Sequence, residues 1–140
     1  MNVEVNYIAV LLASVAAMGL GFLWYSPMLL GKQWLKEKGS TKETLEKEKK
    51  EMGKWYGVSF VVSLLTAYVL SHVMSLSMNF FHYSEIQTGL TTALWMWLGF
   101  VMPVQLTATI FGNKNFKLFG IDTGYQLATL LVMGVVIAVL

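Results

Sequence analysis

The sequence predicts an all-α integral membrane protein, a four-transmembrane-helix bundle with a short polar cytoplasmic helix. Of its 140 residues, 56% are hydrophobic and only 13% are charged, whereas about 25% are charged in ordinary soluble proteins. Four apolar segments each reach the ~20 residues that cross a hydrocarbon core. All ten basic residues are lysines, and eight lie between Lys32 and Lys54. We therefore expect a single membrane domain over residues 1–140.

Composition also excludes several kinds of chemistry. The chain has no cysteine, so disulfides, thiolate nucleophiles and cysteine metal sites are ruled out. Its first residues lack the positive charge of a secretory signal, and the apolar run that follows is too long for the core of such a signal. We interpret that run as a retained helix.

The first span is predicted at residues 7–30. Ala13, Ala17 and Gly21 recur along it at every fourth position, and small residues on one stripe let a neighbouring membrane helix approach closely. The segment closes with two aromatic residues, a proline and a glycine before the lysines begin, as helices do at a water interface.

Residues 31–54 are predicted to be a polar insert on the cytoplasmic side. Ser40 and Glu43 fit a capping box, and Glu43 with Lys47 forms a helix-supporting pair. We expect a polar helix from about Thr41 to Met52 that runs into the next span. The insert is either a solvated surface or a docking site for a partner or anionic lipid.

The second span is predicted at residues 55–78. It carries an unbroken stripe of small residues at four-residue spacing, which predicts a helix-packing surface: Ser59, Ser63, Ala67, Ser71 and Ser75. His72 directly follows Ser71 in the sequence, so it lies on the helix face next to this stripe. An intramembrane histidine could relay protons or bind a ligand; the alternative is a neutral, hydrogen-bonded packing role, since no partner stands at matching spacing.

The third span is predicted at residues 88–111. Pro103 removes a backbone hydrogen bond deep in this helix, so it should kink the helix and leave a carbonyl near position 99 without a partner. Gln105 could supply that partner.

The fourth span is predicted at residues 118–140. Gly120 and Gly124 give it a small-residue packing stripe, and Asp122 is the only acid inside a predicted span. The positive-inside rule places both lysine-bearing loops in the cytoplasm. The chain is therefore predicted to lie in the cell (inner or cytoplasmic) membrane with both termini outside.

The second and fourth spans begin alike. Residues 54–59 read Lys-Trp-Tyr-Gly-Val-Ser, and residues 117–122 read Lys-Leu-Phe-Gly-Ile-Asp. Two parallel helical hairpins related by a pseudo-two-fold axis would produce this match, and such repeats occur in transporters. Chance similarity between short membrane segments is the alternative.

One segment carries a resemblance to a known family. Residues 21–34 have the pattern Gly-x-x-Trp-Tyr-Ser-Pro-x-x-x-Gly-Lys-x-Trp, and shorter matches occur at Gly99-Phe100 with Pro103 and at Ile121-Asp122 with Gly124-Tyr125. This combination resembles DUF1761, a family of small four-helix prokaryotic membrane proteins without an agreed biochemical role. The turn Gly112-Asn113-Lys114-Asn115 departs from the charged turn that the resemblance leads us to expect.

The unusual residues gather in the cytoplasmic half of the predicted bundle. Asp122 is their centre, because a carboxylate about 7–8 Å below the interface needs a partner or a proton. It either complements the helix dipole as a structural residue or binds or relays a cation or proton. Trp24 or Tyr25 is expected to pack near the start of the fourth span. The candidate binding residues are Asp122, Gln105, Tyr25, Trp24, Tyr125 and Gln126.

Two functions compete. The first is a small transport or channel-like protein, acting as a homo-oligomer in the lipid bilayer on a small cation or proton. The second is a non-enzymatic scaffold that docks a partner or anionic lipid through the lysine-rich insert. We expect no enzyme, cofactor or metal site, since no nucleophile with an adjacent base, no carboxylate pair and no ligand set lies at membrane depth. The lysines alternate with glutamates, so we expect no nucleic-acid partner.

Overall fold

The computed structural model describes residues 4–140, and within that range the chain is helical with no strand. Its elements are α1 (Tyr7–Trp24), α2 (Gly31–Lys38), α3 (Lys42–Phe81), α4 (Glu85–Met96), a π-helical segment (Trp97–Val101), α5 (Met102–Phe111) and α6 (Phe116–Val139). Four stretches are long and apolar enough to cross a membrane, namely α1, α3, Glu85–Phe111 and α6. The all-helical class and the four apolar helices are thus confirmed.

The first helix is shorter than the predicted span, because residues 25–30 form turns. Pro27 has no amide hydrogen to continue a helical ladder, and the chain folds back so that the amide of Gly31 donates to the carbonyl of Ser26 at 2.9 Å. A Cβ on Gly31 would lie 2.3 Å from the carbonyl oxygen of Tyr25, so only glycine fits this turn. A short helix that the sequence analysis missed, α2, begins there.

The polar helix runs into the second span as predicted, and the two form the 40-residue α3. The predicted capping box of Ser40 and Glu43 is wrong by one position, since the hydroxyl of Thr41 accepts the hydrogen bond from the amide of Thr44. The reason lies in the preceding helix. Gly39 ends α2 in the left-handed conformation, and the amide of Ser40 then bonds back to the carbonyl of Leu35.

Helix α6 occupies the centre of the bundle and contacts α1, α2, α3, α4 and α5. Its closest neighbour is α4, where Gly89 and Gly134 bring the two backbones together: a Cβ on Gly89 would lie 2.4 Å from the carbonyl oxygen of Gly134. Small side chains fill much of the rest of the core, including the buried Ala13 and Ala17 of the first predicted stripe. This is the close approach that small residues permit between membrane helices.

The predicted packing stripes are buried only in part. On α3, Ala67 and Ser71 are buried, Ser63 and Ser75 are half-buried, and Ser59 is exposed. On α6, Gly124 faces an aromatic ring, whereas Gly120 is exposed and a Cβ built there would meet nothing within 4 Å. The buried members of the α3 stripe lie in the second half of the helix, so the stripe packs against other helices of this chain mainly there.

The break in the third apolar stretch precedes the proline. The π-helical segment ends at Val101, and Pro103 stands in the first turn of α5. Within the described residues, Gln105 makes no side-chain hydrogen bond to the carbonyl near position 99; its side-chain oxygen accepts a hydrogen bond from Thr123 on α6.

The two ends of the bundle differ in character. At one end, the amide of Asn6 donates to the carbonyl of Leu140 at 3.1 Å, which places the start of α1 beside the end of α6. At the other, the side-chain amide of Asn115, in the turn before α6, donates to the carbonyl of Glu37 on α2 at 2.9 Å. We call this second end, which carries α2, the polar start of α3 and the turn 112–115, the lysine-rich end.

Candidate functional site

A hydroxyl–carboxyl pair lies at the centre of the site. The Tyr25 hydroxyl donates to Oδ1 of Asp122 at 2.7 Å. Tyr25 caps the carboxyl end of α1, and Asp122 lies in the second turn of α6. Both side chains are half-buried. Because membrane lipid offers no hydrogen-bond partners, this bond satisfies part of a carboxyl that would otherwise be expensive to place there.

A second bond joins the same two helices. The indole nitrogen of Trp24 donates to the carbonyl oxygen of Ile121 at 3.2 Å. The ring packs against Gly124, where an added Cβ would lie 3.5 Å from it in ordinary contact. Trp24 and Tyr25 therefore both reach the start of α6, and the predicted contact is confirmed.

Further aromatic rings surround Tyr25. Its ring centroid lies 5.1 Å from that of Tyr125 and 5.0 Å from that of Trp34, with interplanar angles of 66° and 61°. Edge-to-face contacts of this kind are favourable for aromatic side chains. Gly21 leaves room for Tyr125, since a Cβ on Gly21 would lie only 2.8 Å from the tyrosine hydroxyl oxygen.

These rings line a cavity of about 410 Å³ between α1, α2, α3 and α6, which we call the aromatic cavity. A volume near this value is typical of small-molecule sites, which occupy about 300–1,000 Å³. The lining side chains are mostly apolar or aromatic: Met18, Gly21, Phe22, Tyr25, Trp34, Tyr56, Ser59 and Tyr125.

A second cavity, of about 230 Å³, lies on the other side of the pair. It is bounded by α5, α6 and the turn between them, and we call it the polar cavity. Three amides, one hydroxyl and the carboxyl of Asp122 are prominent in its lining: Gln105, Ala108, Thr109, Asn113, Asn115, Leu118, Phe119 and Asp122. Because Tyr25 lines one cavity and Asp122 lines the other, their hydrogen bond stands between the two.

Side-chain hydrogen bonds hold the helices around the polar cavity. Thr123 donates its hydroxyl to the side-chain oxygen of Gln105 on α5, and its backbone carbonyl accepts from the indole nitrogen of Trp97 at 2.9 Å. Asn115 reaches Glu37 on α2, and its own side-chain oxygen caps α6 by accepting from the amide of Leu118. The break in the third apolar stretch is thus tied to α6 directly beside Asp122.

The structure brings most of the predicted site residues together. Tyr25 bonds to Asp122, Trp24 bonds to the neighbouring Ile121, and both of their rings pack against Tyr125. Gln105 lines the polar cavity with Asp122. Gln126 is half-buried but lines neither cavity. Their role in binding stays a prediction.

His72 lies apart from the site, in the second half of α3. Its Nδ1 is 3.0 Å from the carbonyl oxygen of Tyr68, and its ring packs edge-on against the ring of that tyrosine at 4.5 Å. This geometry favours the packing role that was one of the two alternatives for the residue.

Three residues of the site were missed by sequence reasoning. Trp34 was visible as the last member of the Gly-Lys-x-Trp pattern, but its position in a polar insert hid its contact with Tyr25. Asn115 was visible as a favoured N-cap residue in the turn before the fourth span, but its contact with Glu37 was not. Thr123 is a common residue type, and no sequence signal distinguishes it.

Comparison with known proteins gives one match. The family model described as a protein of unknown function (DUF1761) matches residues 8–138. The chain therefore belongs to the DUF1761 family, as its resemblance to that family predicted. Neither a curated protein nor a solved structure gives a significant match.

Proposed function

We propose that this member of the DUF1761 family is a small transport or channel-like membrane protein that passes a proton or small cation by way of Asp122. The observation that carries the proposal is the position of the Tyr25–Asp122 hydrogen bond between two cavities. A carboxyl at membrane depth is a functional candidate by default, because evolution could have replaced it with a cheaper apolar residue.

The surroundings of Asp122 suit exchange with an aqueous path. Tyr25 occupies one carboxyl oxygen, while the polar cavity beside the same side chain is lined by the amides of Gln105, Asn113 and Asn115 and by the hydroxyl of Thr109. Such oxygen-rich groups can coordinate water or a hard cation. A proton or ion arriving through the polar cavity would reach the carboxyl before it met the aromatic rings beyond.

We assign the lysine-rich end to the cytoplasm and both termini to the outside of the cell (inner or cytoplasmic) membrane, because lysines in short loops are retained on the cytoplasmic side. The polar cavity would then open towards the cytoplasm. The chain has 140 residues, too few for four helices to enclose a wide path, and this favours a homo-oligomer.

The repeat predicted at residues 54–59 and 117–122 makes Ser59 the counterpart of Asp122. Ser59 lines the aromatic cavity, whereas Asp122 lines the polar cavity. Two related hairpins would thus place one polar residue of the same register on each side of the Tyr25–Asp122 bond, which is the arrangement expected of a path between repeats.

Flux measurements test the proposal. Purified protein would be reconstituted into liposomes, and potassium and proton movement would be followed with fluorescent indicators. We expect Asp122→Asn to reduce flux to the level of protein-free liposomes, because it removes the ionisable group while leaving an oxygen that can accept the Tyr25 bond. Glu85→Gln, at an exposed acid at the opposite end of the bundle, is the matched control. Equal flux from parent and Asp122→Asn protein would refute the proposal.

The scaffold role is the second candidate, and it is favoured by the exposure of the polar start of α3. Nearly every residue from 42 to 54 is exposed, and the ion pair between Lys38 and Glu48, at 2.9 Å, links this segment to α2. Deletion of residues 40–51 separates the two roles. A scaffold should lose its partner or its affinity for anionic vesicles, whereas a transporter should retain its flux.

A further inference from the structure

Aromatic side chains dominate the lining of the aromatic cavity. Five of its lining residues are aromatic, and no lysine, aspartate or glutamate is among its described lining residues. The rings meet at steep angles, 61° between Tyr25 and Trp34 and 72° between Phe22 and Tyr56. The rings of these pairs meet edge to face rather than in one stack, and all four of them line the cavity.

The electrostatic potential of an aromatic lining favours a positively charged ligand. The faces of aromatic rings carry negative potential, and cations lie over them within about 6 Å of the centroid. Trp34 already accepts one cation in this way, since the ammonium nitrogen of Lys38 lies 4.6 Å from its ring centroid. On the side of Tyr25 away from the cavity, its hydroxyl donates a hydrogen bond to Oδ1 of Asp122 at 2.7 Å, and this bond leaves the phenol ring richer in electrons.

The same walls disfavour a bare metal ion. Hard cations require several oxygen ligands around them, while the aromatic cavity offers a few hydroxyls dispersed among apolar surfaces. An organic ammonium ion does not need a shell of oxygen ligands. Its positive charge is spread over the methyl or methylene groups attached to the nitrogen, and these groups pack against aromatic rings.

We infer that the aromatic cavity binds an organic ammonium ion, of the quaternary or methylated alkylammonium class. The inference rests on the proposed function in one respect, namely that it adds an organic ammonium ion to the small cations that the protein would pass. Two sources can supply such a group: a free solute or the headgroup of a choline lipid.

A binding experiment with the full-length protein in maltoside detergent tests the inference. The probe is choline, and its matched control is the uncharged carbon isostere in which a tert-butyl group replaces the trimethylammonium group. Titration calorimetry should detect choline and not the isostere. Trp34→Leu should weaken choline binding by about ten-fold or more, as expected for loss of one desolvated cation–π contact. Tyr56→Leu provides a second variant on a different helix, and Trp95→Leu, at an indole 65% exposed outside this cavity, should bind choline normally.

The outcomes separate this inference from the proposed function. Equal binding of choline and its isostere, or unchanged binding by both Trp34→Leu and Tyr56→Leu, would overturn the ammonium site. Absence of choline binding together with Asp122-dependent potassium or proton flux would overturn it while leaving the proposed function intact. Choline binding without flux of any cation would support the site and refute transport. Loss of choline binding in phosphatidylcholine vesicles, but not in phosphatidylglycerol vesicles, would support the site and identify the lipid headgroup as its source.

Discussion

Two regions of the bundle are held together by different means. At Gly89 and Gly134, α4 and α6 meet backbone to backbone without intervening side chains. Around Asp122, the connections are long side chains from other elements, chiefly Tyr25 and Trp24. The first region leaves no space between its helices, and the second leaves a cavity on either side of a hydrogen bond. This difference indicates that the glycine crossing is the tightly packed contact of α6, while the Asp122 region is where the helices leave space between them.

The largest effect should come from closing the gap at the glycine crossing. A Cβ on Gly134 would lie 2.5 Å from the carbonyl oxygen of Gly89, and backbone rather than a flexible side chain would have to move. We expect Gly134→Ala to lower the free energy of unfolding in detergent by about 2 kcal/mol or more, the usual scale of overpacking.

Gly120→Ala is the matched control on the same helix, since a Cβ there meets nothing within 4 Å. Alanine is the better helix former, so the free energy of unfolding should stay the same or rise by up to about 1 kcal/mol. If the two substitutions gave equal changes, the glycine crossing would not be the tight region of the bundle.

A smaller effect is expected at the hydrogen bond between the cavities. Tyr25→Phe removes the donor to Asp122 but keeps the ring and its contacts with Tyr125. We expect the free energy of unfolding to fall by about 1 kcal/mol, and a double-mutant cycle with Asp122→Ala should give a coupling energy of similar size. Tyr68→Phe, at an exposed tyrosine outside the site, should leave the free energy of unfolding unchanged. A coupling energy of zero would show that the bond contributes nothing to the fold.

Depth along the helices predicted much of this organisation. Hydropathy located four apolar helices, and counting residues from the interface placed Trp24 and Tyr25 level with Asp122 before any contact was known. Counting residues could not tell which of several polar side chains at one level contact each other, because it does not show which way each side chain points around its helix axis. Ser59 and Tyr56 turn to the aromatic cavity, and Gln105 bonds to Thr123 rather than to Asp122.

Helix α2 escaped prediction for a different reason. Its eight residues are too few to establish a helical period in the sequence, and the apolar residues before it, Met28 to Leu30, resemble the continuation of the first span. The turn depends on Pro27 and on the lack of room for a Cβ at Gly31. A close backbone contact of that kind becomes visible only in three dimensions, so the position of Trp34 beside Tyr25 could not be inferred.

The smallest effect should appear where α2 meets α6. Asn115 donates its side-chain amide to Glu37 at 2.9 Å, while its side-chain oxygen caps α6. Asn115→Asp keeps an oxygen for the cap but replaces the donor with a second negative charge near the Glu37 carboxylate. We expect global stability to change by only about 0.5 kcal/mol, while the amides of α2 exchange with deuterium faster in mass-spectrometric measurements and those in the first turn of α6 do not. Asn113→Asp adds the same charge to an exposed position of the same turn and should leave α2 exchange unaltered.

Because Trp34 belongs to α2, release of this helix should also weaken binding in the aromatic cavity. Faster exchange in α2 with normal choline affinity would mean that Trp34 is held by its ring contact with Tyr25 and not by the α2–α6 connection.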